Sequence, residues 1–579
     1  VGQGEADRGA GTIPRLSAIV VAFVLAVSAA GCGLLSGEDG SGVIRPGGDT
    51  LNDQLRGRVS DLDPATATGP GSLTALGNVG EGLYRRDVDG EPVPGMAEGV
   101  EVSEDRLTYT FTLREDIRWS NGEPVTARDF EYAWLRAMDS ETDGENADLL
   151  TAFISGGEDF AAGDAEREEV GVEATDATTL EVKLASPAPF FLDLTTLPVY
   201  LPLREQFVER WDEIDEEEDE YFADSPESLL FNGPYEMTRL DDGRSMRLEK
   251  REDYWDAESV EVGTVNGRAV PGSGIGGYES GALDVAILGP RQIPEYQTED
   301  GFEQHTDSTT FSLYLNDEDP ALDNESLRKA VQAGLDRDYF VETVLGDGSA
   351  AAPGYVPFGM SSGSGVPKEP KEPGETTESS EGNDDIPETF RAAAGDTVIE
   401  AGSEEARRYW EQGVEELGRE PTLKILASHD NVDRDAGAFL QEQLEESLDA
   451  KVEVRIVPPD VLLERQEEGE YQILASRQRA KYDDPASYLD PRVPDSPLNG
   501  LRPIGPDYDK LVKDARKETD GARRTQMLVR AERMLVKEKS LVAPVFYPGD
   551  SYFVNPEVEG YDVSSYGASV DYRHVEVER

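Results

Sequence analysis

The chain reads as an α/β protein, and three observations carry that expectation. Leu107, Tyr109, Phe111 and Leu113 alternate with threonines, the period of a half-buried strand, and an amphipathic helix follows within twenty residues. Later the order is reversed: Leu440, Leu444 and Leu448 stripe a helix, and Val452, Val454 and Ile456 alternate in the strand after it. Finally, 579 residues with 22 Tyr, 18 Phe and 5 Trp suffice for large cores, yet no fixed repeat runs through them. Mixed helices and strands without a repeat imply α/β lobes rather than a solenoid or a sandwich.

Taken in order, the first element is an address. Leu16 to Ala30 is an uncharged, mostly apolar run preceded by Arg15 and followed by Gly31-Cys32. It is shorter than the roughly 20 residues of a transmembrane helix, and its small-residue end reads as a signal-peptide cleavage region. Ala29-Ala30-Gly31-Cys32 resembles a bacterial lipobox with Ala where Leu is usual, which makes Cys32, the only cysteine, the candidate lipidation site. A buried free thiol is the plainer alternative. Residues 1–32 are thus expected to be a lipoprotein signal peptide and 33–48 a flexible tether. The mature body is then expected outside the cytoplasm, lipid-anchored to the outer face of the cell membrane.

The strand over 107–113 is followed by Ser120-Asn121-Gly122-Glu123-Pro124, where Asn-Gly supplies positive-φ geometry and Pro fixes the exit. Thr126 is a good N-cap with Asp129 three residues on, and Phe130, Ala133, Trp134, Ala137 and Met138 follow at helical spacing. The acidic run Asp212 to Glu220 lacks the glycine of a calcium loop and reads as a solvated surface. Residues 361–388, rich in Pro, Gly, Ser and Glu, read as an exposed low-complexity loop. A helix is expected from about Tyr508, and Leu541 to Phe546 as a buried strand.

The net charge of −66, from 120 acidic and 54 basic side chains, excludes an open nucleic-acid surface, because such affinity comes from Lys and Arg displacing counterions. One cysteine excludes a disulfide framework and any multi-cysteine zinc site. His305, His429 and His574 are far apart, so no metal is expected, and no cofactor either. Gly359-Met360-Ser361-Ser362-Gly363 matches a hydrolase elbow, but opens the low-complexity loop instead of joining a strand to a helix. Gly272 to Gly277 matches a dinucleotide fingerprint, but Pro271 interrupts the strand it needs. Nothing in the chain argues for an enzyme.

Leu113-Arg114-Glu115-Asp116-Ile117-Arg118-Trp119-Ser120-Asn121-Gly122-Glu123-Pro124-Val125-Thr126-Ala127, with Asp129-Phe130 and Tyr132-Ala133-Trp134, resembles the signature of family 5 solute-binding proteins, the oligopeptide- and dipeptide-binding components of ABC importers. Further blocks agree in order: Asp63-Pro64, Glu81-Gly82-Leu83-Tyr84, Asn232-Gly233-Pro234-Tyr235, Tyr254-Trp255, Leu327-Arg328-Lys329-Ala330 with Asp336-Arg337, Pro357-Phe358-Gly359-Met360, and Tyr482-Asp483-Asp484-Pro485. The resemblance runs from about Val43 onward. It implies a two-lobed, periplasmic-binding-protein-like fold of type II, with lobe one from 43–73, 197–311 and 546–579, an inserted subdomain at 74–196, and lobe two at 312–545. It also implies a peptide or related small polar ligand between the lobes, and permease and ATPase subunits as partners. A monomer is expected. Around Trp119 the signature is expected to serve the fold rather than the ligand.

Before the Asp-Pro of the last block, the family's peptide receptors read Trp-x-Ala-Asp-Tyr-x-Asp-Pro, and the first Asp pairs with the peptide α-ammonium. This chain has Gln478-Arg479-Ala480-Lys481-Tyr482-Asp483-Asp484-Pro485. Lys481 stands where that carboxylate is expected, and Gln478 replaces the Trp. Arg477, Arg479 and Lys481 fall at i, i+2 and i+4, one face of a strand. Two readings follow: the three cations receive an anionic group of the ligand, or they are neutralised by nearby carboxylates. Tyr482, Gln478 and, from the Asn-Gly-Pro-Tyr block, Asn232 complete the candidate ligand contacts. A surface sensor or interaction lipoprotein that kept the fold but lost transport is the alternative function.

Overall fold

The computed structural model describes residues 49–212, 222–362, 387, 389–429, 434–494, 496 and 501–578. The leader with Cys32, the tether, residues 213–220 of the acidic run and most of the 361–388 loop lie outside the described residues. No described helix is long and apolar enough to cross a membrane.

Thr108–Leu113 is a strand, with Tyr109, Phe111 and Leu113 buried between more exposed threonines, as the alternation predicts. It pairs antiparallel with Ala97–Val102 and Thr179–Lys183, and Val172–Ala174 completes a four-stranded sheet. Helix Ala127–Met138 packs on this sheet and buries Phe130 and Trp134. It starts where Asp129 Oδ2 accepts the Thr126 N–H at 2.8 Å. A second four-stranded sheet orders Thr50–Gln54, Thr264–Arg268, Ser245–Lys250 and Tyr235–Asp241, its first pair parallel. Leu51, Trp119, Trp134, Tyr235, Val265 and Tyr572 belong to one hydrophobic core shared by these sheets.

The other large body is built on a six-stranded sheet in the order Ala350–Ala351, Val542–Tyr547, Thr309–Leu315, Ile473–Arg479, Leu423–Ser428, Val452–Val457. Separate cores cover its two faces, one around Leu313, Trp410, Ile425 and Leu440, the other around Tyr314, Leu426, Tyr488 and Tyr508. Thr309–Leu315 and Val542–Tyr547 lie inside the sheet and are buried throughout. The apolar stretch read as a buried strand is therefore one. Val452–Val457 is the edge strand, which leaves Ile456 39% exposed despite its place in the alternating pattern.

Two chain paths join the bodies. Phe302–Thr306, in a three-stranded sheet with Gly549–Val554 and Val285–Leu288, leads within three residues into Thr309–Leu315. Val542–Tyr547 returns across one residue into Gly549–Val554. This pair of crossings is the linkage that a two-lobed molecule needs to open and close about a hinge.

Candidate functional site

Ile473–Arg479 reaches the junction of the two bodies because its neighbours end unequally. Ile473, Leu474 and Ala475 pair with both Leu423–Ser428 and Thr309–Leu315, whereas Arg477, Gln478 and Arg479 pair only with Phe311, Thr310 and Thr309. Burial falls accordingly: Ile473 to Ala475 are buried, and Arg477 and Arg479 are exposed. The strand's last residues thus project their side chains past the sheet.

Arg477 lies opposite Phe311, whose ring stacks on Phe546 at 4.8 Å. Partial burial holds its guanidinium below the ordinary value, with Asp347 and Asp307 acting in the other direction. Among the described residues it makes no ion pair. Arg479 lies 3.8 Å from Asp307 Oδ1 and donates to the Ser565 carbonyl at 3.2 Å. Gln478 is half-buried, and its carbonyl accepts the Tyr488 hydroxyl at 2.8 Å.

The next three residues cross to the other body. Lys481, already past the end of the strand, forms an ion pair through Nζ with Asp148 Oδ2. Tyr482 has no solvent exposure and inserts into the first core, stacked on Phe190 at 4.4 Å and edge-on to Phe153 at 5.7 Å. The Asp483 N–H donates to Asp193 Oδ2 at 3.2 Å, and its Oδ1 accepts the Ser361 N–H at 2.9 Å. Ser361, the serine of the hydrolase-like pattern, is therefore committed to this structural contact. Burial, then the neighbouring Asp193, pushes the Asp483 carboxyl up to about 7, while Arg86 opposes the shift. Arg86 also pairs with Asp193, which burial raises as well. Asp484 anchors the segment from behind, holding Arg524 bidentately at 2.7 and 2.9 Å with both side chains buried.

Asn232 lies elsewhere. Its Oδ1 accepts the Glu81 N–H at 3.2 Å and its Nδ2 donates to the Glu81 carbonyl at 2.8 Å, so the amide is spent on backbone and buried. The Glu81 carboxylate in turn accepts from the Tyr254 hydroxyl, the Trp255 indole at 2.7 Å and Arg573 at 3.2 Å. Three of the sequence blocks thus meet at one buried residue, Glu81. Trp119 is likewise buried, its indole 3.4 Å from Asp129 Oδ2.

Of the six residues expected at the ligand, the structure leaves Arg477, Gln478 and Arg479 at the open strand end, commits Lys481 and Tyr482 to the opposite body, and places Asn232 in a backbone bridge. Of the two readings of these cations, neutralisation by carboxylates describes Lys481 and Arg479, with Asp148 and Asp307 beside them. Asp148, Phe153, Phe190 and Asp193 carried no signal in the sequence, for the pairs they form span about three hundred residues. Among the described residues there is no group of three His, Cys, Asp or Glu side chains able to hold a metal.

The family description "bacterial extracellular solute-binding proteins, family 5" matches residues 91–499. The chain is 29% identical over 506 residues to the dipeptide-binding protein DppE of Bacillus subtilis, covering 86% of this chain and 87% of that protein. It is 28% identical over 556 residues to the oligopeptide-binding protein OppA of the same bacterium, covering 94% and 95%. The solved structure of Listeria monocytogenes OppA bound to peptide aligns with a TM-score of 0.69 at 28% identity, over 92% of this chain and 99% of that one. These relatives are binding proteins, not enzymes.

Proposed function

Because the chain belongs to family 5 of the bacterial extracellular solute-binding proteins, we propose that it captures peptides between its two lobes and delivers them, chemically unchanged, to the permease and ATPases of an ABC importer. The observation that carries this reading is the likeness to a peptide-bound OppA over nearly the whole chain. We take lobe one as 43–73, 197–311 and 546–579 with a subdomain at 74–196, and lobe two as 312–545; the cores on the six-stranded sheet, distinct from the core of the first body, support the split between the lobes. Binding is a population shift toward the closed arrangement, driven by contacts that exist only when both lobes touch the ligand. Cys32 would carry the lipid that holds the receptor at the outer face of the membrane.

Within that cleft, Arg477 is the residue we assign to an anionic group of the ligand. Lys481 and Arg479 have carboxylates of their own beside them, whereas Arg477 keeps its charge exposed at the strand end. A guanidinium there favours a carboxylate or an acidic side chain through two parallel hydrogen bonds. Native mass spectrometry of the purified full chain is expected to release a set of peptide masses on denaturation. In titrations, Arg477→Ala is expected to weaken acidic peptides about tenfold and neutral ones little. Protein that carries and binds no peptide would overturn the functional reading. Equal losses for acidic and neutral peptides would remove Arg477 from its role.

A further inference from the structure

One cavity among the described residues lies away from the lobe junction. It occupies about 640 Å³ at the other end of the six-stranded sheet, where Leu423–Ser428, Val452–Val457 and Ile473–Arg479 begin. Tyr471, on its wall, precedes Arg477 by six residues, about 20 Å along an extended chain. The cavity and the cleft are therefore separate places on one strand.

Its charges are unevenly satisfied. Lys424 and Arg455 come from the last two strands at one edge of the sheet, and Arg465 from helix Pro459–Glu467 beside them. The register pairs Lys424 with Glu453 and Leu426 with Arg455, which puts both cations on the sheet face that the cavity opens onto. Three of the four carboxylates on the wall have partners of their own, and Glu453 also lies opposite Lys424. Glu318 pairs with Arg502, Glu453 with Lys451, and Asp319 accepts the Ala321 N–H at 2.9 Å and the Gln472 amide at 3.1 Å. Glu470 is the remaining acid. Arg455 and Arg465 make no ion pair among the described residues, although the chain has more than two acids for every base.

We propose that this cavity is a second ligand site, independent of the cleft, that holds a compact oxyanion bearing at least two charges, a phosphate or a di- or tricarboxylate, between the guanidinium groups of Arg455 and Arg465. Lys424, also on the wall, adds a third cation, partly offset by Glu453 opposite it. Two charges are required because the long-range field of a −66 chain opposes any anion, so that only short, bidentate contacts hold it. Isothermal titration of the full chain at low ionic strength, with inorganic pyrophosphate and with citrate, tests the site and tells the two sources apart. One probe or both are expected to bind one site per chain. The double variant R455A/R465A is expected to weaken that binding at least about tenfold, and R455K/R465K to fall between it and the parent. R477A is expected to leave pyrophosphate and citrate binding unchanged, and R455A/R465A to leave peptide binding unchanged. Binding of neither probe, or binding that survives R455A/R465A or fails in R477A, would overturn the proposal without touching the peptide reading.

Discussion

Tyr482 shows how a side chain just past the end of a strand in one lobe can belong to the core of the other. Its ring lies between Phe190 and Phe153, while its hydroxyl is buried with no hydrogen-bond partner. The ring and the hydroxyl therefore pull in opposite directions. Tyr482→Phe keeps the stack and removes an unpartnered polar group, so chemical denaturation is expected to show stability unchanged or raised by up to about 1 kcal/mol. Tyr482→Ala empties the aromatic pocket, and a loss of about 3–5 kcal/mol is expected. A destabilised Phe variant would mean that the hydroxyl finds a partner in solution. Lys481 makes the same point in charge: its sign is plain from the sequence, but the meaning of that sign depends on Asp148, 333 positions away.

At the scale of elements, residues 481–484 form a short bridge with its base in one lobe and its tip in the other. The buried Asp484–Arg524 pair fixes the base, and the tip carries Asp483 against Asp193, with Arg86 and Tyr566 beside them. Burial and the second carboxylate raise Asp483 to about 7, and burial raises Asp490 and Asp53 to about 6. Unfolded aspartates titrate near about 3.9, so the folded state binds these protons more tightly. Stability is therefore gained as pH falls from 8 through 6, and it keeps rising until the unfolded carboxylates protonate. Thermal melting is expected to show a higher midpoint at pH 6 than at pH 8. Asp483→Asn is expected to remove part of that difference, leaving what Asp490 and Asp53 supply. A midpoint that falls over this range would contradict the assignment. The bridge was half legible: Tyr482-Asp483-Asp484-Pro485 stood out as a block, but its role as a crossing did not. Alternation identified Thr108–Leu113 and an unbroken apolar run identified Val542–Tyr547, since burial on one face or on both leaves its mark in the residues themselves. Alternation misjudged Ile456, because whether a strand lies at the edge of a sheet is decided by the order of strands.

For the whole molecule, the excess of acidic over basic side chains is the dominant long-range term. Exposed carboxylates repel one another across the surface, and added salt shortens that repulsion to about 3 Å at 1 M. The melting midpoint is expected to rise by about 5 °C or more between about 0.05 and about 1 M potassium chloride. Insensitivity to salt would mean that local pairs, such as Lys481 with Asp148, already balance the surface. The same excess explains why the cations at the strand end are mostly compensated: in so acidic a chain a carboxylate is seldom far away.

The sequence by itself determined what short-range rules govern: the alternation and stripes of individual elements, the capped helix after Asn121-Gly122, the charge that excludes nucleic acid, and ordered blocks that point to a family. Those features act within a few residues, through backbone geometry and the face each side chain presents. Only the tertiary structure decided which cations keep their charge free, that Asn232 and Glu81 serve one buried knot, and that Tyr482 fills a core built mostly from residues before 300. Such outcomes depend on contacts between segments hundreds of residues apart, and burial and pairing at those distances follow from the order of the sheets rather than from local periodicity.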